Sequence, residues 1–140
     1  MKILLAADGS DYTKRAAKHL ARHRDWFTSA EIHLLHVRPP LPFPGAAAAV
    51  GKKAIEDYER TQAREALAVA EKALRKAGVA FASSWVVGDV CEEIARYAKK
   101  RDIDLIVVGS HGHGALKNLA LGSVATKLIA TTSVPIMVVR

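Results

Sequence analysis

The stretch "DLIVVGSHGHGALKNLALGS", Asp104 to Ser123, is the part of the sequence that decides the fold. It opens on a continuous apolar run, which is typical of a strand covered on both faces. A glycine-rich segment follows, and "SVATKLIATT" then shows apolar residues at helical spacing. A covered strand that leads through a loop into a helix is the unit from which parallel α/β sheets are built.

The rest of the chain repeats this alternation of strand and helix. Strands are predicted at Ile3–Ala7, Glu31–Val37, Val79–Val87, Asp104–Ser110 and Val134–Arg140. Helices are predicted from Ser10 or Asp11 to about Arg24, from near Lys52 to a stop at Gly78, from Asp89 to about Lys100, and from Ser123 to Thr132. Four prolines in Arg38–Gly45 exclude a helix or a central strand there. The order βαβαβαβαβ predicts an α/β fold with a parallel sheet wrapped on both sides, in one domain over residues 1–140.

Composition and charge exclude several classes of protein. The net charge of +7 is spread over several segments, and the few aromatic residues are not interleaved with the basic ones, unlike in nucleic-acid modules. No apolar stretch approaches the length of a membrane span, and "MKILLAADGS" fits a first strand better than a signal peptide. The one cysteine, Cys91, excludes an intramolecular disulfide framework and fits a reducing compartment. We therefore expect a cytoplasmic protein with no nucleic-acid or membrane partner.

The glycine-rich segment permits three interpretations: a loose loop, a metal site, or a cradle for an anion. A metal site on His111 and His113 is disfavoured, because alternating residues point to opposite sides and no cysteine or carboxylate cluster flanks them. A phosphate-facing or surface position suits both imidazoles better. Lys117 is a further cation that could face a phosphate, while Gly114 is expected only to give the loop flexibility.

The spacing of the other glycines favours the anion cradle. Neither a P-loop nor the dinucleotide fingerprint G-x-G-x-x-G occurs in the chain. What occurs is Gly109, two residues, Gly112, nine residues, then Gly122 and Ser123. Glycines at 109 and 112 would let the backbone approach a ligand closely or turn at positive φ. Ser123 opens a helix, whose free N–H groups and positive dipole end suit a phosphate, although it could also be a simple N-cap.

Asp8 is a second candidate, because it ends the first strand. In a doubly wound sheet, ligands bind outside the carboxyl ends of the strands at the switch point. If the first and fourth strands are neighbours there, Asp8 and Gly109 face one crevice. The alternative role of Asp8 is a turn former in "DGS".

In this glycine spacing, the chain resembles the universal stress proteins of the small single-domain type. The family's nucleotide-binding pattern G-x2-G-x9-G-[ST] matches "GSHGHGALKNLALGS" throughout. The opening "KILLAADGS", the "LLHV" of the second strand, the "GD" before the third helix and the closing "SVPIMVV" also fit. The resemblance implies a Rossmann-like, doubly wound sheet of five parallel strands in the order 3-2-1-4-5, with four helices in three α/β/α layers. It also implies a homodimer joined through the last strand.

The resemblance further implies that ATP binds in the crevice. By position, seven residues would bind the nucleotide: Asp8, Val37, Gly109, Gly112, Gly122, Ser123 and Val124. Asp8 would lie at the adenosine end, and Val37 would pack on adenine. Gly109 and Gly112 would pass under ribose and phosphate. Gly122, Ser123 and Val124 would hold phosphates through backbone N–H groups and the Ser123 hydroxyl. One departure is Ala6, where ATP-binding relatives often carry a proline.

These expectations favour binding over catalysis. The motif supplies no general base, no Walker-type lysine and no paired metal carboxylates, so at most slow hydrolysis or autophosphorylation is expected. A Mg²⁺ or Mn²⁺ ion would be carried on the phosphates. The chain is thus expected to be an ATP-binding, nucleotide-dependent regulatory module of the stress response, with protein partners that the sequence does not identify. The alternative is a nucleotide-independent protein-interaction module of the same fold.

Overall fold

Five parallel strands form one sheet in the computed structural model, which describes residues 1–41, 51–113 and 120–140. The strands are β1 (Lys2–Ala6), β2 (Glu31–Arg38), β3 (Phe81–Val87), β4 (Leu105–Gly109) and β5 (Ile136–Val139). Their order is β3-β2-β1-β4-β5, with β1 at the centre and β3 and β5 at the edges. This order confirms the doubly wound, Rossmann-like sheet that the family resemblance implies.

Four α-helices cover the sheet in the described part of the chain: α1 (Asp11–Arg22), α2 (Lys52–Lys76), α3 (Val90–Arg101) and α4 (Ser123–Thr131). Side chains alternate along each strand, so each face of the sheet builds its own core. Ile3 and Leu5 of β1 pack in the core with α1 and α2, whereas Leu4 packs in the core with α3 and α4. The result is the predicted three-layer α/β/α arrangement.

Side-chain caps explain where two of the helices begin. The hydroxyl of Ser10 accepts a hydrogen bond from the N–H of Thr13, which fixes the start of α1. The carboxylate of Asp89 accepts from the N–H groups of Cys91 and Glu92 at the start of α3. A side-chain oxygen at the N-cap satisfies donors that have no acceptor within the helix. Both starts are where the sequence predicts them.

The boundaries differ from the predictions by one or two residues, most clearly at β3. This strand begins at Phe81 rather than Val79, because the N–H of Val79 instead bonds to the carbonyl of Leu74 in the last turn of α2. The predicted proline loop Arg38–Gly45 lies outside the described residues beyond position 41. Within the described ranges, none of the helices has both the length and the apolar character needed to cross a bilayer.

Candidate functional site

A cleft of about 480 Å³ opens at the carboxyl ends of the central strands. β1 and β4 are paired neighbours, but the chain leaves β1 towards α1 on one face and β4 towards α4 on the other. Loops that diverge in this way leave a crevice between them, and doubly wound sheets bind ligands there. The volume lies within the range of small-molecule pockets, roughly 300–1,000 Å³.

All seven predicted site residues line this one cleft, although they come from four places in the chain: Asp8, Val37, Gly109, Gly112, Gly122, Ser123 and Val124. The sequence predicts that Asp8 and Gly109 face one crevice only if the first and fourth strands are neighbours. The pairing of Ile3 with Leu105 and of Leu5 with Val107 meets that condition.

Asp8 is held in place by its own turn. Its Oδ1 accepts hydrogen bonds from the N–H of Ser10 at 2.9 Å and from the hydroxyl of Thr13 at 2.7 Å. The first bond is the Asx turn that the sequence offered as an alternative role. Partial burial raises the pKa of Asp8, but the hydrogen bonds from Ser10 and Thr13, helped by His113, outweigh burial and leave this pKa below its ordinary value. The carboxylate is therefore ionised at neutral pH. Its Oδ2 receives no hydrogen bond from the described residues.

An apolar wall forms one side of the cleft. Val37, which is 8% exposed, lies at the end of β2, and Leu35, Val90 and Val108 line the same space. Ala6 contributes a methyl group at the position where the resemblance leads one to expect proline. The wall presents apolar surface to any flat, weakly polar ring that enters.

The glycines at 109 and 112 are explained by close packing rather than by backbone freedom. Neither is among the residues with positive φ, so of the two alternatives that the sequence offered, close approach to a ligand or a turn at positive φ, the turn does not occur. A Cβ on Gly109 would lie 2.6 Å from the Cβ of Tyr12 in α1. A Cβ on Gly112 would lie 2.5 Å from Oδ2 of Asp8. Gly109 thus lets α1 approach the sheet, and Gly112 leaves room for the carboxylate.

The start of α4 carries no side-chain cap. Gly122 is the N-cap residue and Ser123 is the first helical residue, so Ser123 is not the N-cap that the sequence offered as an alternative. The first helical bond runs from the N–H of Thr126 to the carbonyl of Gly122, so the N–H groups of Ser123 and Val124 have no acceptor in the helix. The N–H of Gly122 instead bonds to the carbonyl of Ser110 at 2.7 Å. This bond corrects the expectation that the Gly122 N–H faces a phosphate.

The two histidines of the glycine-rich segment lie near α1 and β1. The ring of His111 is tilted against the ring of Tyr12, with centroids 5.2 Å apart. Nε2 of His113 lies 2.9 Å from the carbonyl oxygen of Asp8. No group of three or more metal-ligating side chains occurs among the described residues. Gly114 and Lys117 lie outside them.

A second cleft of about 470 Å³ adjoins the first, and no sequence motif predicts it. Lys127 of α4 reaches across it to Asp89, with Nζ 3.3 Å from each carboxylate oxygen. The hydrogen bond from the N–H of Glu92, and to a smaller extent the one from Lys127, holds the pKa of Asp89 below its ordinary value. Cys91 lines the same cleft, and burial raises the pKa of its thiol. The contact between Asp89 and Lys127 joins residues of two helices, which no short motif encodes.

The sheet and its cleft at the switch point define the class of protein: a Rossmann-like α/β protein with a cleft of small-molecule size. Within that class, the model of the universal stress protein family matches residues 1–140. Universal stress protein MJ0531 of Methanocaldococcus jannaschii is 33% identical over 99% of this chain and 81% of its own length. Universal stress protein YxiE of Bacillus subtilis is 33% identical over 99% of this chain and 98% of its own length. The chain belongs to the universal stress protein family.

Solved structures agree on the fold. That of protein MJ0577 of M. jannaschii superimposes with a TM-score of 0.80 at 29% identity, over 99% of this chain and 94% of its own. A universal stress protein of Archaeoglobus fulgidus in complex with dAMP has a TM-score of 0.71 at 23% identity, over 100% and 98% of the two chains. A family member of Arabidopsis thaliana with AMP bound has a TM-score of 0.70 at 17% identity, over 99% and 90%.

Proposed function

We propose that this protein binds an adenine nucleotide, foremost ATP, in the 480 Å³ cleft and acts as a nucleotide-dependent regulatory module of the stress response. One observation carries the proposal: a single cleft unites an apolar wall, the carboxylate of Asp8 and a helix start whose N–H groups have no acceptor in the helix. The nucleotides bound by the A. fulgidus and A. thaliana proteins support an adenine nucleotide as the ligand.

The adenosine end is assigned to the strand ends. Adenine would pack on the apolar wall at Val37, which is already shielded from water. Oδ2 of Asp8 would accept a hydrogen bond from a ribose hydroxyl, because Oδ1 already accepts two from the protein. The backbone at Gly109 and Gly112 would run beneath ribose and the first phosphate.

The phosphate end is assigned to the first turn of α4. The N–H groups of Ser123 and Val124 and the hydroxyl of Ser123 would donate to phosphate oxygens, with the positive end of the helix dipole adding to the attraction. Gly122 would lie beside the phosphates, but its N–H would not donate to them, because that N–H bonds to the carbonyl of Ser110. The absent cap side chain leaves the space that a phosphate would take.

In this proposal the protein binds the nucleotide, and hydrolysis of the nucleotide is not its main function. Asp8 is the one carboxylate among the described residues that line the cleft, and it lies at the adenosine end. Those lining residues therefore offer no carboxylate base beside the phosphates, and Asp89 of the adjoining cleft is engaged as the cap of α3 and in an ion pair with Lys127. We therefore expect hydrolysis or autophosphorylation to be slow at most. A Mg²⁺ or Mn²⁺ ion would bind through the phosphates.

The assembly proposed is a cytoplasmic homodimer that pairs through β5. This strand lies at an edge of the sheet and carries four half-buried apolar residues, Ile136–Val139. An apolar edge strand with unpaired backbone groups readily pairs with another strand. The other edge strand, β3, exposes Ala82, Ser83 and Val87. Nucleotide binding would act on this dimer or on protein partners not yet identified.

Isothermal titration calorimetry with Mg-ATP, ADP and AMP tests the proposal, using the variant Ser123→Pro. Proline is favoured at the first helical position, and Gly122 at ψ 160° already has the extended conformation that proline requires before it. The substitution therefore removes one N–H and one hydroxyl without breaking α4. We expect ATP affinity to fall about tenfold or more, the size of a lost charge-assisted hydrogen bond.

Ser123→Ala is the matched control, because it removes the hydroxyl and keeps the N–H. We expect a smaller loss of affinity in this variant and an unchanged midpoint of thermal unfolding in both. Absence of binding by the unaltered protein at millimolar nucleotide would sink the proposal and favour a nucleotide-independent interaction module. Equal affinity in Ser123→Pro and the unaltered protein would refute the phosphate placement.

A further inference from the structure

The starts of α3 and α4 lie side by side but are built differently. α3 carries its own anion, since Asp89 accepts the N–H groups of Cys91 and Glu92. α4 has glycine at the same position and no side chain to accept its free N–H groups. One cation, Lys127, lies between them and is paired with Asp89. An anion at the start of α4 would therefore have an ammonium group close by.

The second cleft extends the first in a definite direction. Both clefts are lined by Ser123 and Val124, the residues that open α4. The second cleft then continues to Asp89 and Lys127 and does not include Asp8, the residue of the adenosine end. A phosphate chain that passes the first turn of α4 would enter the second cleft.

Lys127 is placed to meet such a chain. It follows Ser123 by one helical turn, so both lie on the same face of α4. Helical side chains lean towards the helix N-terminus, so the side chain of Lys127 leads from its own turn towards the first turn of α4. Its side chain is 51% exposed, so it is not locked in the core and can turn from Asp89 towards a phosphate.

We propose that Lys127 makes the site prefer nucleoside di- and triphosphates over monophosphates, by contacting the phosphates beyond the first. This inference rests on the proposed nucleotide function and adds a specificity residue to it. Asp89 competes with the phosphate chain for the same ammonium group, so the pair sets how strongly the preference is expressed. A monophosphate, held at Ser123 and Val124, does not extend to Lys127 and is indifferent to it.

The test compares the ratio of AMP to ATP dissociation constants in the unaltered protein and in Lys127→Met, by calorimetry at one ionic strength and with excess Mg²⁺. We expect the ratio to fall about fivefold or more in Lys127→Met, because ATP binding weakens and AMP binding does not. Lys100→Met is the matched control: it removes the same charge from an exposed position in the last turn of α3 and should leave the ratio unchanged. Lys127→Arg should retain most of the preference, since it keeps the charge.

The variant Asp89→Asn should change the ratio of AMP to ATP dissociation constants in the direction opposite to Lys127→Met. Asparagine caps a helix as well as aspartate does, so α3 keeps its cap while Lys127 loses its carboxylate partner. We expect the AMP-to-ATP ratio to rise, and this variant decides the matter if Lys127→Met does not fold. An unchanged ratio in Lys127→Met or in Asp89→Asn, or an equal loss of AMP and ATP affinity, would overturn the role of Lys127 while leaving nucleotide binding intact. Failure of the unaltered protein to bind AMP and ATP would overturn both proposals.

Discussion

At the scale of single residues, Gly112 and Asp8 depend on each other. The carboxylate of Asp8 is fixed by the N–H of Ser10 and the hydroxyl of Thr13, and its free oxygen occupies the place where a side chain on residue 112 would begin. The glycine is thus required by the aspartate rather than by the shape of its own backbone. The same contact links the adenosine end of the proposed site to the glycine-rich segment.

The substitution Gly112→Ala should lower both stability and nucleotide affinity. The new methyl group displaces the Asp8 carboxylate, so its hydrogen bonds weaken at a cost of about 1–3 kcal/mol. Urea unfolding of the single and double variants measures this cost. In the Asp8→Ala background, the methyl group no longer meets an oxygen, and Gly112→Ala should add little further loss. Additive effects of the two substitutions would contradict the contact.

At the scale of elements, another glycine sets how closely α2 packs on the loop between β1 and α1. Gly9 has φ of +83°, and a Cβ there would lie 2.9 Å from the backbone Cα of Ala66 in α2. Backbone atoms of a helix do not move aside as a side chain does. Gly78, which follows α2, also has positive φ at +69°, but no atom lies within 4 Å of its Cβ position.

Gly9→Ala should therefore destabilise the protein more than Gly78→Ala. Gly78→Ala carries only the strain of the left-handed backbone, about 1–2 kcal/mol. Gly9→Ala carries the same strain and also forces α2 away from the sheet, which we expect to add a further 1–3 kcal/mol or so. The midpoint of urea unfolding, compared for the two variants at equal slope, measures the difference. Equal destabilisation would mean that α2 moves without cost.

The sequence predicts elements better than it predicts contacts between them. The starts at Ser10 and Asp89 follow from caps that act over three residues, and the covered strand β4 follows from its apolar run. The strand order and the site residues required the resemblance as well, because periodicity does not fix which strands are neighbours.

Contacts across elements escaped the sequence analysis for a physical reason. Tyr12 against Gly109, and Lys127 against Asp89, depend on how far each helix is shifted and rotated over the sheet. Those offsets are set by the packing of the whole core and leave no local pattern. The spacing of the glycines therefore pointed to the cleft that we propose as the site, while the packing contacts of the glycines at 109, 112 and 122 emerged only from the structure.

At the scale of the whole molecule, the edge strand β5 pairs with β4 on one side, and no other described strand pairs with its second side. The carbonyls of Pro135 and Val139 accept bonds from Ile106 and Ser110, so their backbone groups face β4. Successive residues of a strand alternate in this respect, and the N–H of Val138 therefore points away from β4. This outward backbone is the surface through which the proposed dimer would pair.

Val138→Pro should convert the proposed dimer to a monomer that keeps its fold. Proline is tolerated on an edge strand where the lost N–H faces outward, so pairing with β4 survives and pairing with a second chain is blocked. Sedimentation velocity measures the change, and circular dichroism confirms folding. Val138→Ala is the control, because it loses comparable packing and keeps the N–H. A monomeric unaltered protein, or a dimeric Val138→Pro, would rule out pairing through β5.

The uncapped start of α4 has a consequence for how long the protein resists degradation. Gly122 leaves N–H groups there that no described side chain caps, so a nucleotide bound to them would stabilise the native chain but not the unfolded one. By mass action, ligand at a hundred times its dissociation constant adds about 2.7 kcal/mol to the free energy of unfolding. Resistance to proteolysis would then increase and decrease with the nucleotide concentration, and the half-life of the protein would depend on that concentration.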